Sequence, residues 1–254
     1  MNNDYLFGHP GILVARSSAD VAALIALTLM VCQAITLIKR RAGRDLSIYY
    51  PDLAWLRAGI YFCGCWLISA ATGVLPTLMQ GISPTLGLMW GCALIAMLSF
   101  EYIAYYRVWA VGTKTLDRKK YPLAILAFGL LWGLAEGQLF LSFFALAEKL
   151  NLGPLWAAAI CYFAIGAYYG PWHRFYWDFQ VAPEHNIAEW NVKKVVFVHT
   201  PNIIFSLAFL VYFKDPLSFI ALQCFCLIGA CYTMHFPSPR DKISQRPIVD
   251  TYLS

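Results

Sequence analysis

Seven long apolar runs constrain this chain more than any other feature, at residues 19–38, 55–79, 86–108, 122–147, 154–171, 195–213 and 216–236. Each is about 17–25 residues long, the length an α-helix needs to cross a hydrocarbon core of about 30 Å. The runs are continuously apolar instead of alternating, and they are too long for barrel strands. Proline, glycine or charge bounds each one. With 60% hydrophobic and 13% charged residues, the composition lies outside that of soluble domains. The expectation is an all-α, multi-pass integral membrane protein built as a bundle of seven transmembrane helices. A single membrane domain at 19–236 is flanked by tails at 1–18 and 237–254. The first tail lacks a charged region ahead of a cleavable core, so the run at 19–38 reads as an uncleaved anchor.

Seven crossings put the two termini on opposite faces, and the basic residues choose between the faces. Sixteen lysines and arginines fall on the face of the C-terminus, among them Lys39-Arg40-Arg41, Arg118-Lys119-Lys120 and Lys193-Lys194. The other face has three: Arg16, Lys149 and Lys214. By the positive-inside rule the N-terminus is outside or lumenal and the C-terminus cytosolic. The net charge of +5 is therefore a topology signal, and no nucleic-acid partner is expected.

Two carboxylic acids fall within the runs, Glu101 and Glu136. An ionisable group at membrane depth costs a few kcal/mol on insertion scales, so it faces the bundle interior and marks a candidate site. Held away from water, such a group can serve as a neutral acid and proton donor. Tyr105 is four residues from Glu101 and shares its face; the structural alternative for Glu101 is a hydrogen bond to a tyrosine or a neighbouring helix. Glu136 sits within Gly129-x-x-x-Gly133-x-x-x-Gly137, a small-residue face suited to close helix packing. Trp132, Glu136 and Phe140 follow at four-residue spacing, placing the acid between two aromatic rings.

The loop after the fifth run concentrates polar and aromatic residues on the cytosolic side. Asp178 and Glu184 are its candidate acids, His185 its titrating group near neutral pH, and Trp177 a candidate pocket wall. It reads either as a cap over a cavity between helices or as an interfacial aromatic belt. Further on, Pro201 removes a helix donor and is expected to bend the run at 195–213, where His199 and Asn202 present one polar face. His173, Asp178, His185, Glu189 and His199 include ligand types suited to Zn or Fe, but no established ligand spacing occurs, and no metal or other cofactor is expected. All eight cysteines lie in apolar runs and behave as small hydrophobes. The last run lacks a lysine for a retinal Schiff base, and nucleotide-binding, nucleophile-elbow and aspartate-rich diphosphate motifs are absent.

Seven spans in a chain of 254 residues, with Phe100-Glu101 in an early helix, resemble the integral membrane terpene cyclases of meroterpenoid biosynthesis. The resemblance implies that Glu101 protonates the terminal epoxide of a prenylated aromatic substrate. Aromatic residues make up 16% of the chain, and their π faces stabilise a developing cation. The expected activity is acid-catalysed cyclisation or isomerisation of a lipophilic isoprenoid substrate, with Glu101, Glu136, Asp178, Glu184 and His185 as catalytic candidates. Tyr105, Trp132, Phe140, Trp177, His199 and Asn202 are the pocket candidates. The alternatives are a proton-coupled transporter or channel, a seven-helix sensor, or a metal-dependent lipid hydrolase or oxidase using the cytosolic set.

Overall fold

The computed structural model describes residues 6–7, 51–81, 86–111, 119–169 and 192–240, with parts of 19–34. Where 19–34 is described it is helical, and no strand occurs among the described residues. Seven helices follow: α1 (Pro51–Thr72), α2 (Val74–Gln80), α3 (Leu88–Val108), α4 (Pro122–Glu148), α5 (Pro154–Ala167), α6 (Val192–Phe213) and α7 (Pro216–Thr233). By length and composition α1, α3, α4, α6 and α7 are sufficient to cross a membrane, while α5 is a shorter apolar helix of 14 residues. Four of them begin on a proline, whose fixed φ suits the first helical turn and whose missing N–H costs nothing there. Asp215 caps α7, its Oδ1 accepting from Ser218 N at 3.0 Å.

Three expected spans differ in detail. The run at 55–79 is two helices, because Gly73 adopts φ 88° and breaks the ladder between α1 and α2. The run at 154–171 is α-helical only to Ala167, and Tyr168 and Tyr169 continue it as a π-turn. The expected disturbance at Pro201 takes the form of a π-helical turn over Val195–His199, closed by Thr200 N donating to Val195 O. A matching π-turn ends α3 over Ala104–Val108, where Trp109 N reaches Ala104 O at 2.7 Å.

The helix ends gather in two layers. At one end Trp90 Nε1 donates to Asp215 Oδ2 at 2.9 Å, joining the starts of α3 and α7. Near the end of α4, Glu148 takes the backbone N–H groups of Leu6 and Phe7 at 2.9 and 3.1 Å, and the Phe7 ring packs on Phe144. At the opposite end Trp55 Nε1 donates to Pro237 O at 3.1 Å, Phe128 stacks on Phe236, and Lys194 Nζ donates to Trp109 O at 2.8 Å. Through the middle, α4 and α7 run antiparallel in close contact, with Gly129, Gly133 and Gly137 facing Ile228, Cys224 and Ile220.

Candidate active site

α1, α4 and α5 converge on Glu136, which is 1% exposed. Trp132, one turn earlier on α4, donates its indole N–H to Glu136 Oε1 at 2.7 Å. Tyr168 donates to the same oxygen at 2.9 Å, and Tyr169 to Oε2 at 3.2 Å. Tyr61 of α1 extends the chain, its hydroxyl 2.8 Å from that of Tyr168 and its ring stacked on Trp132 at 4.7 Å. Phe140 does not face Glu136 as a bare wall; it packs edge-on against the rings of Tyr168 and Tyr169. Three donors on two oxygens make Glu136 a hydrogen-bond acceptor and give its ionised form a fixed cage. Arg57, one turn before Tyr61 on α1, is also fully buried.

Glu101 has the opposite surroundings. It is 0% exposed, and neither carboxyl oxygen has a hydrogen-bond partner among the described residues. Tyr105 shares its face, as the spacing requires, but the Tyr105 hydroxyl accepts from Asn202 Nδ2 at 3.1 Å and does not reach the carboxyl. The contacts between α3 and α6 set their antiparallel register: Phe100 meets Phe205, Tyr105 meets Asn202, and Trp109 meets Lys194. Glu101 is therefore level with the Asn202–Ser206 turn. Asn202 Oδ1 and Ser206 Oγ, on residues 2% and 1% exposed, likewise have no partner. Four buried oxygen atoms without partners thus gather in one layer between two helices.

Toward the Trp90–Asp215 end this layer gives way to an apolar groove of about 910 Å³ between α3, α5 and α6. Met97 and Phe100 of α3, Tyr162 and Phe163 of α5, and Phe205 and Phe209 of α6 line it. Met97 is one turn before Glu101 and Phe209 nearly one turn after Ser206, so the two lining stripes run directly into the polar layer. The volume falls within the range of roughly 300–1,000 Å³ usual for small-molecule sites.

His199, 7% exposed, lies on the other side of the layer, with its ring 6.3 Å from Tyr105 and 6.0 Å from Tyr169. It links the surroundings of the two acids. Asp178, Glu184, His185 and Trp177 lie outside the described residues, as do His173 and Glu189. Among the described residues no three of His, Cys, Asp and Glu converge as a metal site. Tyr61, Tyr168, Tyr169 and Ser206 are absent from the sequence candidates. Only Tyr168-Tyr169 carried a signal, two phenols near the end of a run whose partner acid lay in the preceding helix. The chain matches no protein-family model, no curated protein and no solved structure.

Proposed function

We propose that this protein is a multi-pass membrane enzyme that protonates a lipophilic isoprenoid-type substrate and so starts its cyclisation or isomerisation. One observation carries the reading: a fully buried carboxyl, Glu101, stands without a hydrogen-bond donor at the end of an apolar groove walled by aromatic rings. A carboxylate with no donor is costly in such a place, whereas the neutral acid keeps a proton to give. Glu101 gives that proton to an epoxide oxygen or an alkene carbon. With an epoxide, the carbon–oxygen bond opens with its electron pair on oxygen, and a neighbouring double bond attacks the electron-poor carbon. The groove keeps water from the cation, and its π faces stabilise it. Glu136, held by three donors, supplies a fixed counter-charge deeper in the bundle.

The proposed topology has seven spans with the N-terminus outside and the C-terminus in the cytosol. The hydrogen bonds from Leu6 and Phe7 to Glu148 support an even number of crossings between them. The α1–α2 pair, α3 and α4 account for three, which leaves one for residues 19–38. On this topology the Glu136 cluster lies toward the cytosolic face and the groove toward the outer face.

The test is product formation in membranes given an epoxidised prenyl-aromatic substrate, comparing the wild type with Glu101→Gln and Glu136→Gln. Glu101→Gln is expected to abolish product, and Glu136→Gln to reduce it by about 10²-fold or more, as for loss of an electrostatic stabiliser. Unchanged product from both correctly inserted variants would remove these acids from the reaction.

A further inference from the structure

We infer that Glu101, Asn202 and Ser206 form a subsite for one oxygen function at the end of the lipophilic ligand, an alcohol or an epoxide that opens to one. This rests on the reading of the groove as a lipid-substrate site and assigns two positioning residues within it. Buried polar groups are nearly always hydrogen-bonded, so four oxygens without partners in one layer of two facing helices mark the place of a missing partner. The layer closes the groove: Phe100 precedes Glu101, and Phe205 and Leu207 flank Ser206, all three lining the apolar wall.

The orphaned atoms also define the chemistry of that partner. Glu101 as the neutral acid offers one O–H, and Ser206 offers a second. Asn202 Oδ1 can only accept, because Asn202 Nδ2 is the group that donates to Tyr105. A hydrocarbon end satisfies none of them. A hydroxyl satisfies both sides, accepting from Glu101 or Ser206 and donating to Asn202 Oδ1. An epoxide arrives at the same arrangement during reaction: the Glu101 proton moves to the epoxide oxygen, the carbon–oxygen bond breaks, and the new O–H donates to Asn202 Oδ1. Ser206 then donates to the carboxylate left on Glu101. Both contacts strengthen as the proton moves, which is when a stabilising contact accelerates a reaction.

Binding separates this subsite from the reaction itself. Radiolabelled farnesol is equilibrated with the full-length protein in nanodiscs, empty nanodiscs correct for partition into lipid, and unlabelled farnesol or the hydrocarbon β-farnesene displaces it. Farnesol is expected to bind at least about tenfold more tightly than β-farnesene, the scale of one hydrogen bond to a buried group. Ser206→Ala and Asn202→Leu should each bring the two ligands to within about threefold by weakening farnesol alone. Ser206→Ala should also melt no lower than wild type without ligand, since it deletes a hydroxyl that nothing holds. A structural role would instead lower the melting point and the binding of both ligands together, and that result overturns the proposal. Equal binding of alcohol and hydrocarbon overturns the subsite while leaving the groove reading intact; failure of both to bind overturns both.

Discussion

Gly133→Ala adds one methyl group at the tightest approach in the bundle. A Cβ at that position lies 2.5 Å from Cys224 Cα, 2.8 Å from Cys224 N and 3.0 Å from Gln223 O. Carbon atoms in contact normally sit about 3.5–4.0 Å apart, so α4 and α7 must separate by about 1 Å or the methyl must be absorbed by bending. Every atom met is backbone, so no side chain can swing aside. Overpacking of this kind costs about 1–3 kcal/mol, and a rigid neighbour places this case at the upper end. For a chain of this size the melting temperature should fall by roughly 4–10 °C. Gly59→Ala in α1 is the matched control, because nothing lies within 4 Å of its added Cβ. Replacing glycine by alanine inside a helix is otherwise worth about 0.5–1 kcal/mol in favour of the helix, so the control should melt at or slightly above wild type. Thermal unfolding followed with a thiol-reactive dye reads both variants in one detergent, since Cys226 and Cys231 of α7 are buried until the helices part. If Gly133→Ala melts with the control, the glycine face does not set the distance between these helices.

Asp215→Ala removes the cap on Ser218 N and the acceptor of Trp90 Nε1, and should cost about 1–3 kcal/mol in the same assay. Asp215→Asn, which keeps a side-chain oxygen for the cap, should recover part of that loss. Tyr168→Phe removes one donor to Glu136 and the hydroxyl partner of Tyr61, for a loss of about 1.5–3 kcal/mol. Because the two residues share one network, Glu136→Gln combined with Tyr168→Phe should destabilise by less than the sum of the separate changes; strict additivity would show that the bond contributes nothing.

The apolar runs were sufficient to find the helices, because length and continuity are properties of the string itself. Glu101 and Glu136 were visible for the same reason, as rare charges in an apolar background, and so was the small-residue face of α4. The sequence does not show which side of an apolar helix is buried when nearly every residue is apolar. Tyr61 and Ser206 therefore looked like incidental polar residues, although each proves to be 1% exposed and part of a polar layer. The contrast between the two acids was equally hidden, since it depends on partners from other helices: Tyr168 and Tyr169 for Glu136, and none for Glu101. Gly73 resembled any other glycine in a membrane span, and only its left-handed φ distinguishes it. Asp178, Glu184, His185 and Trp177 fall outside the described residues, so both readings of that loop stand as they did.

The paired π-turns of α3 and α6 have a consequence for how this bundle tolerates length change. A π-turn is one surplus residue held inside a helix, equivalent to a single-codon insertion that was kept. Each residue advances a helix by about 100°, so removing that surplus from Val195–His199 would turn the remainder of α6 by about that angle. Asn202 and Ser206 would then swing off the seam with α3 and toward lipid, while the apolar character of the span stayed the same. A hydropathy profile would not register the loss, yet the polar layer would be gone; a one-residue deletion here is expected to be silent for membrane insertion and severe for ligand recognition.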